Sequence, residues 1–329
     1  MLDILARSMF AATRMSSVAI EKQETDWQTR QIRRSEKTSL DLKAQSQSIQ
    51  PTAHGRKLAE FARLHREAGA FLMPNAWDAG TARILEKLGF PALATTSAGL
   101  AISMGVRDSS GSLSRRQVLD NARSIVAATS LPVSADLENG FGSRPEDVAQ
   151  TIREAEAIGL CGGAIEDSTG DPEDPIYSFE LAVERIRAAV AAKSMKAFLI
   201  TARSENFICG RPDLADTICR LKAFEDAGAD VVYAPGLPDI EAVRAVCEAV
   251  TVPVNVVVGL TSASCSIGDL SMAGVRRVST GGSLARAGLG EMIRAATELK
   301  ERGTSDYAER AISDADVSSQ MVSERQIAG

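Results

Sequence analysis

Ser134-Ala-Asp-Leu-Glu-Asn-Gly-Phe-Gly142 is the stretch around which the rest of this chain can be read. With the residues before it, Leu131-Pro-Val-Ser-Ala-Asp-Leu137 forms a short apolar run of strand character. The run ends on two acids and breaks into a glycine-bearing turn. Side chains alternate along a strand, so Asp136 and Glu138, two apart, are expected on the same side. Two carboxylates on one side repel each other unless a cation or a shared proton lies between them. The pair reads either as an oxygen-ligand site for a hard divalent ion or as a solvent-facing acidic pair at a strand end.

On both sides of this segment, short apolar runs alternate with helical stretches. The runs are Phe71–Ala76, Ala92–Ser97, Leu131–Leu137, Gly163–Asp167, Ala197–Ala202, Asp230–Ala234, Val252–Val258 and Val275–Thr280. Helical patterns fall between them, after a first amphipathic helix at Lys57–Glu67, and Leu284–Lys300 follows the last run. Ser114 with Gln117 and Ser143 with Glu146 have the spacing of capping boxes. Gly89, Gly159, Gly228 and Gly274 stand where helices need a terminating glycine. Eight strands, each followed by a helix, predict an α/β fold of the TIM (β/α)8 barrel type, and an open doubly wound sheet fits less well.

In such a barrel the chemistry sits at the C-terminal strand ends. Four neighbouring strands bring acids there, among them Asp136, Glu138, Glu166 and Glu205, with Asp108 on a loop and Arg203 opposite. Buried acids in that number need a cation to coexist. Arg203 could hold a substrate carboxylate in a bidentate grip. Gly281-Gly-Ser283 opens a helix and reads equally as an anion site or a plain tight turn.

The net charge of −6 argues against nucleic acid and anionic membrane as partners, and no apolar run reaches membrane-spanning length. Five scattered cysteines without a CxxC pair fit a reducing compartment. Both histidines, His54 and His65, precede the first expected strand, which argues against a His-based triad or zinc site. Residues 1–53 differ in character. They are rich in Ser, Gln, Lys and Arg, with eight basic and six acidic residues. We read them as a disordered extension before a barrel at 54–303 and a C-terminal helix and tail at 304–329, with a further helix at Tyr307–Ile312. The cytoplasm is the expected compartment. A mitochondrial address would follow if the amphipathic Met1–Arg14 were a transit peptide, against which its acids count.

From about Phe61 to Leu299 the chain resembles the isocitrate lyase/phosphoenolpyruvate mutase superfamily. The matching pieces are Pro74-Asn-Ala-Trp-Asp78, Thr96-Ser-Ala-Gly-Leu100, Asp108, Asp136-Leu-Glu-Asn-Gly-Phe-Gly142, Ile165-Glu-Asp167 and Ala202-Arg203. The resemblance implies a Mg²⁺ (or Mn²⁺) lyase that makes or breaks a C–C bond next to a pyruvate-like carboxylate, through an enolate. It implies direct metal coordination by Asp136, with Asp108, Glu138 and Glu166 holding metal-bound waters. Trp77, Ser97, Ala98, Gly99, Leu100, Arg203 and Asn255 are the implied substrate contacts, with the carboxylate clamped by Arg203 and by backbone amides around Ser97, Gly99 and Leu100. It further implies a homo-oligomer, dimer or tetramer, in which subunits exchange the last barrel helix.

One departure matters. Lyases of this superfamily that act on isocitrate or methylisocitrate carry a Lys-Lys-Cys-Gly-His loop after strand four. Here that stretch is Ser168-Thr-Gly-Asp-Pro-Glu-Asp-Pro-Ile-Tyr177. The Lys- and Asn-bearing loop of the mutases and phosphonopyruvate hydrolases is also missing. Tyr177 is the candidate proton donor left in it. The alternatives are P–C chemistry of the carboxyphosphonoenolpyruvate or phosphonopyruvate type, or a barrel that binds a carboxylate without turnover.

Overall fold

A computed structural model of the chain describes residues 52–108, 111–259 and 265–321. Apart from its last two residues, the N-terminal extension expected at 1–53 lies outside them. The apolar runs become parallel strands: β1 (Phe71–Met73), β2 (Asn75–Ala76), β3 (Leu93–Thr95), β4 (Val133–Asp136), β5 (Gly162–Glu166), β6 (Leu199–Arg203), β7 (Val231–Tyr233), β8 (Val254–Val257) and β9 (Arg277–Ser279). Their order is β1-β9-β8-β7-β6-β5-β4-β3-β2. The expected first strand is therefore two. Pro74 has no N–H to give the ladder and splits it. Its first half pairs with β9 and its second with β3, so the broken strand closes the ring. Asn75 secures the closure: its Nδ2 donates to the Thr95 carbonyl at 2.6 Å, and its Oδ1 accepts from the N–H groups of Thr280 and Gly281, both at 2.9 Å.

The helices are α1 (Ala53–Leu64), α2 (Ala79–Lys87), α3 (Ser97–Ser103), α4 (Arg115–Ala128), α5 (Pro145–Ala157), α6 (Phe179–Ala192), α7 (Leu214–Asp226), α8 (Ile240–Ala249), α9 (Ile267–Met272), α10 (Ser283–Arg302) and α11 (Asp314–Gln320). Ser114 and Gln117 form the expected capping box on α4. On α5 the pair shifts by one residue: Asp147, not Glu146, takes the N–H of Arg144, because Pro145 occupies the first helical position. Gly89, Gly159, Gly228 and Gly274 all have positive φ, as a left-handed helix stop requires. The C-terminal helix expected at Tyr307–Ile312 is instead a 3₁₀ turn at Asp306–Glu309, followed by α11. Among the described residues no helix is long and apolar enough to cross a membrane.

Helix α1 plugs the N-terminal end of the barrel. Leu58, Phe61 and Leu64 pack with Met73, Ala92, Ala94, Cys161 and Leu199. The same helix ends at His65, which is fully buried between the edges of Phe61 and Phe71. A histidine thus reaches the barrel interior although it precedes every strand. Burial, reinforced by the Arg277 charge, lowers its pKa to about 3. The neutral ring fits its contacts, with Nδ1 donating to the Phe61 carbonyl (2.8 Å) and Nε2 facing Arg277 (3.3 Å). A depressed folded-state pKa contributes stability that is present above the unfolded value near 6.5 and lost as pH falls towards 3. We expect roughly 2 kcal/mol to be lost between pH 7 and 5. Urea melts of wild type and His65→Gln at both pH values check this. An equal pH dependence in the two proteins would place the titration elsewhere.

Candidate active site

Strand β4 ends at Asp136, so the alternation expected to align Asp136 and Glu138 does not hold. The two acids meet by another route. Leu137 turns inward, fully buried, and Glu138 takes a left-handed φ of 47° just past the strand. Phe141 follows at 61°, and two such non-glycine residues in one turn mark stored backbone strain. Gly140 (φ 81°) completes the turn where an added Cβ would come within 3.0 Å of Val148. Arg185, fully buried on α6, fastens this turn from behind by donating to the carbonyls of Gly142 (2.7 Å) and Asn139.

The rim converges as follows. Asp136 accepts from the N–H (3.2 Å) and Oγ (2.8 Å) of Ser97, the first residue of α3, a helix the strand pattern did not foretell. Arg203 at the end of β6 gives Nε and Nη2 to Glu205, which is buried. Its Nη1 is left facing Glu166 at 3.5 Å and Asp136 at 4.0 Å. The bidentate edge expected to grip substrate is therefore held by Glu205, and only the Nη1 side turns to the site. The sequence places Glu205 among the rim acids but assigns it no hold on Arg203. Its position two residues after Arg203 was the available signal.

Five acids thus surround one arginine. Burial, then the nearby Asp136 charge, raises Glu138 to about 7. Glu166 is raised well above the usual carboxylate range, by burial first, although Arg203 opposes it. Asp108 is exposed on its loop, yet it is also raised, by desolvation and then by Asp136. On Arg203, burial works against the charge, but Glu205 and Glu166 outweigh it and its pKa rises well above normal. The acids are under mutual repulsion that one cation does not relieve. Their donors are oxygens, which suits a hard divalent ion. Among the described residues no three such side chains converge as a ready metal cage.

Below the rim a small cavity runs down into the barrel. Small side chains on neighbouring strands, Ala94, Ser134 and Ala164, leave the space that barrel cores usually fill with branched residues. Asp136, Arg203 and Asn255 line it, as do Arg277 and Ser279, which the strand-end reading passed over. The Gly281 N–H is engaged by Asn75, so the turn before α10 serves barrel closure rather than an open anion site.

Other expected contacts are placed differently. The N–H groups of Ser97, Gly99 and Leu100 are already engaged, by Asp136, Thr96 Oγ1 and the Thr96 carbonyl. Trp77 is half-buried and packs so tightly on α3 that a Cβ on Gly99 would lie 2.8 Å from its own Cβ. Ala98 is also half-buried and Leu100 buried. Tyr177 is in the hydrophobic core with the Arg185 guanidinium 4.1 Å from its ring, and does not line the cavity. Cys209 is held protonated by burial, its pKa raised to about 11.

Residues 61–300 match the phosphoenolpyruvate phosphomutase family. The chain belongs to this family. It is 33% identical over 184 residues to 2-methylisocitrate lyase of Escherichia coli (strain K12), covering 54% of this chain and 61% of that enzyme. It is 29% identical over 241 residues to oxaloacetate decarboxylase of Paraburkholderia xenovorans (strain LB400), covering 70% of this chain and 77% of that one. A crystal structure from Burkholderia cenocepacia J2315, described as a lyase/mutase, shares 50% identity over 83% of this chain and 98% of its own, with a TM-score of 0.80. Fold and family agree with the resemblance drawn from the motifs.

Proposed function

We propose that this family member is a divalent-metal-dependent carbon–carbon lyase that makes or breaks a bond next to a pyruvate-like carboxylate, through an enolate. The observation that carries the reading is the crowd of acids of raised pKa around the single Arg203 at the C-terminal rim. Its relatives named as 2-methylisocitrate lyase and oxaloacetate decarboxylase support the reaction class.

Asp136 would hold Mg²⁺ or Mn²⁺ directly, and Asp108, Glu138 and Glu166 would hold its waters. When bound, such an ion supplies Lewis-acid stabilisation of a developing oxyanion. Arg203, through Nη1, orients the substrate carboxylate, and Glu205 keeps the guanidinium aimed by occupying its other edge. Ser97 fixes the Asp136 carboxylate through its hydroxyl and N–H.

A screen of 2-oxo and 2-hydroxy acids with Mg²⁺, with oxalate as an enolate-like competitor, tests the proposal. Turnover of a C–C substrate that oxalate inhibits is the expected result. Turnover of phosphonopyruvate alone would favour P–C chemistry, and tight oxalate binding with no turnover would favour a carboxylate-binding barrel.

Assembly follows from α10. Of its twenty residues only Ala285 is buried, and Met292, Ile293 and Leu299 are exposed. A helix of that length with an apolar face and little cover within its own chain is expected to pack against a second copy. Light scattering at micromolar concentration should give a dimer or tetramer. A stable monomer would count against exchange of this helix between subunits.

A further inference from the structure

Arg220 lies on the buried face of α7, in helical register with Thr217, Leu221 and Phe224. The period of an amphipathic helix calls for an apolar residue at that place. A buried ion pair seldom stabilises a fold more than a well-packed apolar residue would, so the guanidinium is to be explained by what it holds. It holds two carboxylates and a carbonyl. Nη1 donates to Asp167 Oδ2 (3.1 Å) and to the Tyr177 carbonyl (3.0 Å), and Nε donates to Asp216 Oδ2 (2.8 Å). Neither Arg220 nor Asp167 lines the cavity.

Both carboxylates pass the hold on to the turn that follows β6. The second oxygen of Asp167, Oδ1, accepts from the N–H of Glu205 at 2.7 Å. Asp216 Oδ2 also accepts from Asn206 Nδ2 at 2.8 Å. Arg220 thus fixes two successive buried residues, one through each acid. From there the contacts run inward. Arg203 gives Nε and Nη2 to Glu205, which leaves Nη1 towards Glu166 and Asp136. Glu205 needs to be held, because its charge and that of Glu166 oppose each other across the rim. With its backbone unfastened, Glu205 could move outwards and carry the guanidinium with it. The aim of Arg203 is therefore set two links behind the rim, where Arg220 meets Asp167.

We infer that Arg220 is a positioning residue for the grip on the substrate carboxylate: through Asp167 and the Glu205 backbone it sets the direction in which Arg203 presents Nη1. This rests on the reading of Arg203 as the group that orients that carboxylate, and adds to it the support that keeps the geometry. The effect falls on the β6 side of the rim. Asp136, at the end of β4, is fixed by Ser97 and has no bond to this chain of contacts. Loss of Arg220 therefore weakens carboxylate binding and spares metal binding, a split that general loosening of the barrel would not give.

Calorimetric titration of oxalate into the Mg²⁺-loaded protein, and of Mg²⁺ alone, tests it. Arg220→Met should weaken oxalate at least roughly tenfold, the scale of one charged hydrogen bond lost, and leave Mg²⁺ affinity as in wild type. Asp167→Asn breaks the same chain with almost no change of size. An amide has one acceptor oxygen where the carboxylate uses two, so either the Glu205 N–H or Arg220 loses its partner. The same split is expected. In a Glu205→Gln background, Arg220→Met should cost little further oxalate affinity, because the link it acts through is already weakened. Oxalate bound as in wild type by a folded Arg220→Met protein overturns the inference. So does joint loss of oxalate and Mg²⁺, or a fully additive loss in the double variant, since Arg220 would then act by packing alone. If Arg220→Met does not fold, Asp167→Asn decides by the same criteria. Arg203→Met separates this inference from the reading beneath it. Wild type that fails to bind oxalate, or Arg203→Met that binds it unchanged, sinks the carboxylate grip and the inference with it. Loss in Arg203→Met without loss in Arg220→Met or Asp167→Asn overturns the role of Arg220 alone.

Discussion

Asp136→Asn is expected to erase the rise in melting temperature that Mg²⁺ or Mn²⁺ should give the wild-type protein. Asp136 sits at the centre of the acidic rim. Its charge is among the causes that raise Asp108, Glu138 and Glu166. An ion that neutralises this cluster binds the folded state and has no comparable site in the unfolded chain. At about a hundredfold over its dissociation constant it should add roughly 2.7 kcal/mol. For a barrel of this size that is a shift of about 5–10 °C. Asn keeps an acceptor for Ser97 and removes the charge, so the metal-free variant should be no less stable than wild type. Differential scanning calorimetry with and without metal measures both effects. A wild-type melting curve unmoved by either ion would refute the metal site, and a variant that keeps the full shift would move direct coordination away from Asp136.

The barrel was readable because its signals are local and repeated. Alternating apolar runs and helix stops such as Gly159 and Gly228 need no tertiary knowledge, since a left-handed stop favours glycine wherever it occurs. Strand pairing across Pro74 was not readable, because the break appears only once β9 and β3 lie on either side of it. The acids of the rim were found by the rule that barrel strands end in chemistry. Their arrangement was only partly found. Glu138 reaches Asp136 through a strained turn, not strand alternation, and the hold of Glu205 on Arg203 depends on side-chain direction that a linear reading cannot give. Arg277 and His65 escaped for a different reason. They lie at the N-terminal end of the barrel, where that rule predicts stability rather than substrate, and their meeting joins residues more than two hundred positions apart.

Isocitrate should be cleaved at least about a hundredfold more slowly than the best substrate. A retro-aldol lyase must protonate the carbanion left on its departing product, and a positioned general acid contributes about 10²–10⁴-fold. The segment Ser168–Tyr177 has no Cys, Lys or His to do this. It folds back on itself through the Ser168–Ile176 bridge, and Asp171, Glu173 and Asp174 are exposed. Tyr177 is the remaining candidate, but its ring packs in the core against Arg185, so Tyr177→Phe is expected to leave kcat nearly unchanged. Cys209 lies beside this loop with its thiol protonated, yet the thiol points at the Pro175 carbonyl 3.8 Å away. Substrates whose leaving fragment needs little proton assistance, oxaloacetate or a substituted malate, should therefore be turned over best. Steady-state assays of isocitrate, oxaloacetate and 2,3-dimethylmalate with Mg²⁺ decide the matter. Isocitrate turnover matching the best substrate would mean that a proton donor exists. Loss of that turnover in Cys209→Ala or Tyr177→Phe would identify it.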